Sequence, residues 1–243
     1  MSAQGSCWLA FDTSTEVLSM GLCANGHADL RTLAGGAQSS ASLIPTALDM
    51  LAQAGIALPQ LDAIVFGRGP GAFTGLRTAC AVAQGLAFGA GIPVLPVDTL
   101  LVVAEEARAL AGVDKQPLTV LALLDARMDE VYSAAYDWDG QRWTARSPLQ
   151  VSAPQAVALP DAPRVLLAGN AFEVYGERLR HLDCGERIRA LPTAAALLRL
   201  APALWAAGQA VPAEQAMPLY IRDKVAQTTA ERMAERAADK GTP

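Results

Sequence analysis

The residues best suited to bind an anion lie in a glycine-rich segment, residues 67–77, which reads GRGPGAFTGLR. An apolar run, expected to be a buried strand, precedes it, and a helix is expected to follow. Glycine lets the backbone approach an anion closely, and the first turn of a helix offers N–H groups without partners. Gly69, Gly71 and Gly75 are therefore candidate contacts to an anion or nucleotide. The alternative, which the pattern leaves open, is a tight strand-to-helix turn that needs glycine for its geometry.

A second polar group, Asp12, Thr13 and Ser14, follows the first apolar run of the chain. A carboxylate beside hydroxyl groups could hold a magnesium-bound phosphate. The same side chains suit an Asx-type turn, in which they bond to nearby backbone N–H groups, and the pattern taken alone favours the turn. Residues 125–130 (DARMDE) occupy the matching position in the second half. They are interpreted as a charged hairpin turn, because their two adjacent acidic residues would point to opposite faces of a strand.

Histidine and cysteine offer little for a metal site. The two histidines, His27 and His181, are far apart in sequence, which excludes an HExxH zinc helix. The four cysteines form no CxxC pair and are expected to be reduced thiols. We therefore predict no metal ligand and no catalytic residue in this chain.

The composition predicts an acidic protein whose core is rich in small residues. Of 243 residues, 52% are hydrophobic and 5% aromatic, and the formal net charge is -5. Direct non-specific binding to nucleic acid is not expected, because attraction to phosphate needs a clustered positive field. Residues 78–97 carry no charge, but glycines and prolines interrupt them, so we predict a buried helix and strand instead of a membrane span. No basic run followed by an apolar stretch is visible at the N-terminus, and we expect a cytoplasmic location.

Hydrophobic periodicity and turn residues give the two halves of the chain a similar order of elements. The first half is predicted to contain strands at 7–11, 17–23 and 28–33, a helix at 40–54, a strand at 63–66, a helix at 74–88, a strand at 92–97 and a helix to about 110. The second half is predicted to contain strands at 118–124, 131–138, 141–145 and 164–168 and a helix at 193–208. Each half has an Xaa-Gly hairpin after its second strand.

This repeated order favours an α/β fold of the actin-like type, with a duplicated βββαβα unit in two lobes, although alternating strands and helices would equally suit a doubly wound sheet. We predict a first lobe at residues 1–110 that carries a partner interface. A second lobe is predicted at 111–215. Residues 216–243 are predicted to form a C-terminal segment with a charged tail.

The helices at 40–54 and 74–88 carry more apolar surface than one buried face requires. Either both are central in the fold, or their second faces meet another subunit. Because exposed apolar patches commonly mark partners, we predict a protein interface here. The predicted interface residues are Leu43, Ala47, Met50, Arg77, Ala81, Gln84 and Phe88.

Five segments, in order along the chain, resemble the TsaB (YeaZ) family. They are residues 8–16 (WLAFDTSTE), 67–77 (GRGPGAFTGLR), 83–87 (AQGLA), 125–132 (DARMDEVY) and 218–222 (PLYIR). The resemblance extends from residue 8 to about residue 225. It implies an actin-like two-lobed protein that is related to the catalytic subunit TsaD and takes part in threonylcarbamoyladenosine biosynthesis in tRNA.

The resemblance also implies partners. A TsaD-like catalytic subunit would pair with helices of the first lobe, and a TsaE-like ATPase would associate with that pair. The assembly would transfer a threonylcarbamoyl group from its adenylate onto an adenosine of tRNA. This chain would be a non-catalytic scaffold that requires no cofactor of its own. It would meet tRNA only through the complex, and alone it would form a homodimer. ATP or ADP could bind in the assembled complex, and the sequence leaves open whether this subunit itself binds nucleotide.

Two positions depart from what related proteins carry. TsaD-like enzymes have a metal-binding HxxxH motif at the start of the helix after the last strand of the first lobe, and residues 96–105 here contain no histidine. Ser39 stands where members of the family often have histidine. That histidine is therefore dispensable, or the helix cap has been rebuilt with Ser39, Ser40 or Ser42.

Three other functions remain open at this point. A phosphotransferase related to sugar or acetate kinases would need a general base, and an actin-like fold supplies only the cleft. A metallopeptidase would need a ligand cluster that two remote histidines do not provide. A homo-oligomeric interaction protein would be distinguished by its mass in solution without partners.

Overall fold

The computed structural model describes residues 6–182 and 186–222, and the predicted charged tail at 227–243 lies outside the described residues. The first half of the chain forms five strands and three helices. These are β1 (Trp8–Asp12), β2 (Val17–Ala24), β3 (His27–Ala34), α1 (Ser39–Ala54), β4 (Ala63–Gly69), α2 (Phe73–Ala90), β5 (Val94–Asp98) and α3 (Thr99–Leu110).

The second half adds six strands and two α-helices among the described residues. They are β6 (Leu118–Asp125), β7 (Val131–Trp138), β8 (Trp143–Ala145), β9 (Gln150–Ser152), β10 (Val165–Gly169), α4 (Ala171–Tyr175), β11 (Glu186–Ile188) and α5 (Ala194–Ala206). The sequence did not predict β9, α4 or β11, which have three to five residues each and are too short for a periodic pattern.

The strand orders of the two sheets confirm the predicted duplication. The first sheet runs β3-β2-β1-β4-β5, and the second runs β8-β7-β6-β10-β11. In both sheets, three strands are joined antiparallel as hairpins, and the next two add parallel to the first of them. Parallel strands need a crossover connection, and helices supply it in the first lobe. This is the actin-like two-lobed arrangement.

The helices tie the two lobes together reciprocally. α1 and α2 pack on one face of the first sheet, and α5, which comes from the second half of the chain, packs on the other face against β1 and β2. α3, which ends the first half, packs mainly on β6 and β10 of the second sheet. Residues after about 193 therefore return to the first sheet, and the predicted boundaries at 110 and 215 stay a prediction.

A buried ion network holds α3, α5 and β8 together. The carboxylate of Glu105, 3% exposed, accepts hydrogen bonds from Arg108, Trp143 and Arg199. Burial raises the pKa of Glu105, but these hydrogen bonds outweigh burial and hold the pKa below its ordinary value. The charge is therefore fully paired, which makes the network a structural joint.

Within the described ranges, no helix is long and apolar enough to cross a membrane. The uncharged stretch at 78–97 instead divides between α2 and β5, as predicted. α2 ends where Gly91 adopts a left-handed conformation with φ 68°.

Candidate functional site

The turn after β1 is closed and buried. Oδ1 of Asp12 accepts hydrogen bonds from the Ser14 backbone N–H at 2.8 Å and from the Ser14 hydroxyl at 2.6 Å. The Thr13 hydroxyl donates to the carbonyl of Gly75 at 2.7 Å. The Asx-type turn, which the sequence favoured, is therefore what forms, and Asp12 and Thr13 are both 0% exposed.

The glycines of residues 67–77 are required by the packing of this turn. A Cβ on Gly67 would lie 1.7 Å from Oδ2 of Asp12, and one on Gly75 would lie 1.9 Å from the Thr13 carbonyl oxygen. A Cβ on Gly71 would meet Ser14 at 2.6 Å. The glycine-rich loop therefore packs against the Asp12 turn, at a position where an anion was one of the two predicted occupants. In this arrangement Asp12, Thr13 and Gly75 are buried, whereas Ser14 and Gly71 line a cleft between the two lobes.

Asp12 is also electrostatically unusual. Burial raises the pKa of its carboxyl to about 6, although two hydrogen bonds from Ser14 lower it. Its Oδ2 atom is buried against Gly67 and has no hydrogen-bond partner among the described residues. A buried carboxylate without a partner on one oxygen favours protonation, because its charged form is desolvated.

A cleft of about 200 Å³ lies between the two lobes. Typical small-molecule sites enclose about 300–1,000 Å³. The cleft is narrowed by residues near the C-terminus, because Leu219 bonds to the first lobe and Arg222 to the second. The polar and aromatic residues that line it are Ser14, Thr15, Glu16, Phe73, Asp125, Arg127, Tyr132, Asn170, Tyr220 and Arg222.

The turn after β6 occupies the position in its lobe that the turn after β1 occupies in the first lobe. Its Asp125 lines the cleft, whereas Asp12 does not. Oδ1 of Asp125 accepts from the Arg127 backbone N–H at 2.8 Å and from the Tyr175 hydroxyl at 2.7 Å. The side-chain oxygen of Asn170 accepts from the Asp125 backbone N–H at 2.9 Å. Burial, with the hydrogen bond to Asp125, raises the pKa of Tyr175 above its ordinary range. The predicted charged turn is confirmed, whereas the supporting Asn170 and Tyr175 were missed because they are distant in sequence.

No group of three metal-ligating side chains occurs in the described part of the chain. The first turn of α3, where an HxxxH motif would lie, instead presents Thr99, Leu100 and Val103, all 0% exposed. His27 lies in the β2–β3 hairpin, and His181 bonds to the carbonyl of Val157. These residues do not fit a metal centre.

The outer face of α2 is exposed as predicted. Arg77 and Ala81 are exposed, Phe88 is 74% exposed, and Gln84 is half-buried. The Arg77 guanidinium lies over the Phe73 ring at 3.8 Å and its Nε–H donates to the Tyr220 hydroxyl at 3.1 Å. α2 therefore presents a face with a single charge, and that charge is held by neighbouring rings.

The interface prediction is wrong for three residues of α1. Leu43 and Ala47 are 0% exposed and Met50 is 1% exposed, and all three belong to the core cluster beneath α1 and α2. The stripe beside them is the exposed one, with Ile44 at 39% and Leu48 at 50%. Both stripes are apolar, so helical periodicity alone could not decide which one faces the sheet.

Ser39 does not cap α1. It is the first helical residue and is buried, while Gln38 occupies the N-cap position without a side-chain hydrogen bond. Ser42 instead donates to the Gln38 carbonyl at 2.7 Å. Of the alternatives that the sequence left open, a cap rebuilt with Ser39 or Ser42 is therefore wrong.

Two sheets of the same order, joined by reciprocal helices around a cleft, define an actin-like two-lobed protein. A family model described as "TsaD: tRNA N6-adenosine threonylcarbamoyltransferase" matches residues 35–230. The proteins named "tRNA threonylcarbamoyladenosine biosynthesis protein TsaB" from Haemophilus influenzae and Escherichia coli are 34% and 33% identical, over 89% and 90% of this chain and 94% and 95% of theirs. The structure of "YeaZ from Pseudomonas aeruginosa" is 41% identical, with a TM-score of 0.81, covering 89% of this chain and 100% of that one.

The chain therefore belongs to the TsaB (YeaZ) family, as its five sequence segments indicated. The names of these relatives agree with a role in tRNA modification, and neither a phosphotransferase nor a metallopeptidase is among those names.

Proposed function

We propose that this chain is a non-catalytic scaffold subunit in the biosynthesis of threonylcarbamoyladenosine in tRNA. It pairs with a TsaD-like catalytic subunit, and that partner carries out the transfer. The observation that carries this proposal is the apolar outer surface of α1 and α2, which holds Ile44, Leu48, Ala81 and Phe88 exposed to solvent. Membership of the TsaB family supports the same role.

The helix pair suits a partner that offers two helices of its own. α1 and α2 lie against each other on the same face of the first sheet, so their outer residues form one continuous surface. Two such pairs bury their apolar sides in a four-helix contact. A second copy of this chain offers the same surface, and in the absence of the partner it forms a homodimer about a two-fold axis.

The absence of catalysis is part of this proposal, and the packing of the two turns supports it. The Asp12 carboxylate is buried, and the Asp125 carboxylate accepts hydrogen bonds from the Arg127 backbone N–H and the Tyr175 hydroxyl. Glu16, which also lines the cleft, pairs with Arg127. Carboxylates engaged in this way are poor candidates for a general base. This subunit requires no cofactor of its own, and a TsaE-like ATPase joins the assembled complex.

Contact with tRNA comes through the partner. The formal net charge of -5 gives the isolated chain no field that attracts phosphate. The chain alone is therefore expected to release tRNA at moderate salt, and tRNA modification is expected to take place in the cytoplasm.

Reconstitution tests this function. Threonylcarbamoyladenosine in tRNA is measured with the chain alone, with the TsaD-like subunit of the same organism alone, and with both together plus the TsaE-like ATPase. Only the full set is expected to modify tRNA. ATP hydrolysis or tRNA modification by the isolated chain would show that it is an enzyme. Modification at full rate without this chain would show that it is not a required subunit.

A further inference from the structure

The two lobes are joined at a second place, apart from the Glu105 network, by a segment that lines the cleft. Residues 216–222, here called the strap, cross from the first lobe to the second. Ala216 belongs to the core of the first lobe, and Ile221 packs on the core of the second. The Leu219 backbone N–H donates to the Arg68 carbonyl at 2.7 Å. A Cβ on Gly69 would lie 2.5 Å from the Leu219 carbonyl oxygen, so the strap and the glycine-rich loop are in direct contact.

Arg222 anchors the strap to the second lobe. Its guanidinium donates to the carbonyl oxygens of Ala126 at 3.0 Å and Arg127 at 3.4 Å, and it pairs with the carboxylate of Glu130. The side chain is 16% exposed. All three acceptors face Nη2, which has two N–H groups to share among them. Nη1 lies 3.4 Å from Sδ of Met128, and Nε has no hydrogen-bond partner among the described residues. A partly buried guanidinium between a carboxylate and two carbonyl oxygens is held more tightly than an exposed ion pair.

The turn that Arg222 binds has an uncommon backbone. Arg127, Met128 and Asp129 are three consecutive residues with φ of 60°, 52° and 58°. Side chains other than glycine rarely adopt this left-handed conformation, and such strain persists only where surrounding contacts enforce it. Arg222 bonds to the carbonyls at the start of this turn, and Tyr175 bonds to the carbonyl of Glu130 at its end.

The middle of the strap reaches the outer face of α2. The ring of Tyr220 lies 5.1 Å from the ring of Phe73, and its hydroxyl accepts the hydrogen bond from Arg77. Arg77 is an exposed residue of α2. One segment of seven residues therefore touches the α2 surface, the glycine-rich loop and the strained turn across the cleft.

We propose that the strap is a latch, which keeps the lobes closed by binding the 127–129 turn through Arg222. Through Tyr220 and Arg77 it links that closure to the outer face of α2. The other ion pair across the cleft mouth, Glu16 with Arg127, has side chains 77% and 69% exposed and is weakened by solvent. A change at the α2 surface is thereby transmitted to a turn in the other lobe. The latch belongs to the isolated chain and does not depend on the partner's identity.

Hydrogen exchange of the full chain tests the latch with Arg222→Ala. The backbone amides of residues 125–131 and of 68–73 are expected to exchange at least about tenfold faster, because both segments lose the strap together. Arg180→Ala, which removes an exposed pair with Glu177 within one lobe, is the matched control and should change neither segment. Unchanged exchange in Arg222→Ala would overturn the proposal, and so would faster exchange confined to 125–131.

Tyr220→Phe tests the contact between the strap and α2. It also provides a second test of the latch if Arg222→Ala fails to fold. It removes only the hydroxyl that Arg77 binds and leaves the ring on Phe73. Exchange at 125–131 is expected to rise about two- to threefold, since the strap is loosened at its middle and Arg222 is intact. Arg77→Gln should produce the same change from the α2 side. If both variants leave 125–131 at the wild-type rate, the strap does not couple the two regions.

Discussion

The two lobes share a sheet but differ in the helices that cover it. α1 has 16 residues, whereas the second lobe has only a single 3₁₀ turn, Pro154–Ala156, between its hairpin strands and β10. α2 has 18 residues, whereas its counterpart α4 has five. Both halves therefore have the same strand order, but only the first half has two long neighbouring helices at these positions.

The outward surfaces of these helices differ in charge as well as length. Asp49 and Arg77 are the charged residues of α1 and α2. The shorter segment 171–182 of the second lobe, in contrast, exposes Glu173, Glu177 and Arg180. Solvent-exposed surfaces usually carry charged residues such as these, whereas a large exposed apolar patch commonly marks a contact with a partner. This difference supports the proposal that the partner surface lies on the first lobe.

Gly75→Ala is expected to have the largest effect, and it tests whether the start of α2 packs directly on the Asp12 turn. A Cβ at position 75 would lie 1.9 Å from the Thr13 carbonyl oxygen. Gly75→Ala is therefore expected to lose more than about 4 kcal/mol of unfolding free energy, or to prevent folding. Urea denaturation measures the change.

Gly85→Ala is the control for this substitution, because it lies in the same helix and a Cβ there meets nothing within 4 Å. It should stabilise the chain by about 0.5–1 kcal/mol through helix propensity. A Gly75→Ala variant as stable as the wild type would mean that the turn and the helix are not packed as described.

The next effect separates the two apolar stripes of α1. Met50 is 1% exposed, and Met50→Ala is expected to cost about 2–5 kcal/mol because it leaves a cavity in the core. Leu48 is 50% exposed, and Leu48→Ala should stay within about 0.5 kcal/mol of the wild type. Thermal and urea unfolding of both variants check this. Equal losses would mean that both stripes are buried and that α1 has no free face.

A smaller effect concerns pH and the buried Asp12. Its folded pKa of about 6 is higher than the ordinary value of 3.8, so the carboxyl favours folding while it is protonated. That contribution is complete below about pH 4 and is lost as the pH rises through 6. Relative to Asp12→Asn, the wild type should therefore lose up to about 3 kcal/mol of unfolding free energy between pH 4 and pH 7. A difference between the two proteins that is constant with pH would show that Asp12 does not titrate in this range.

Sequence reasoning reached the fold because hairpin turns and apolar runs are local features. Asn25-Gly26 marks the β2–β3 hairpin, and the predicted bounds of β7 match the observed Val131–Trp138. Helix α1 shows the limit, because proline is generally tolerated only in the first turn of a helix and α1 contains Pro45. It lies deeper in the helix, where it and Ala41 are both exposed, so the carbonyl it leaves unbonded can reach water.

The site was less predictable because it depends on contacts between distant residues. The glycine-rich segment 67–77 made anion binding one of two open readings, but the neighbours in space of Gly67 and Gly75 come from the Asp12 turn, more than 50 residues earlier. Arg222 was part of a family segment, and nothing in its local sequence shows that it binds a turn near residue 127. Local pattern gives the residue types of a site, whereas tertiary packing decides which of them are free.

The proposed docking surface includes the outer face of α2, and the substitution Ala81→Arg tests this proposal. Ala81 is exposed, so folding should survive with a change below about 0.5 kcal/mol. In a packed seam, a buried unpaired charge costs about 3–5 kcal/mol, which raises the dissociation constant at least about 100-fold. Ala203→Arg, at an exposed alanine of α5 on the opposite face of the same sheet, is the matched control.

The measurement is size-exclusion chromatography with light scattering, on each variant alone and mixed with the TsaD-like subunit, with thermal unfolding in parallel. We expect Ala81→Arg to stay folded but to form neither homodimer nor heterodimer, and we expect Ala203→Arg to form both. A folded Ala81→Arg chain that still assembles would contradict the claim and would place the partner elsewhere.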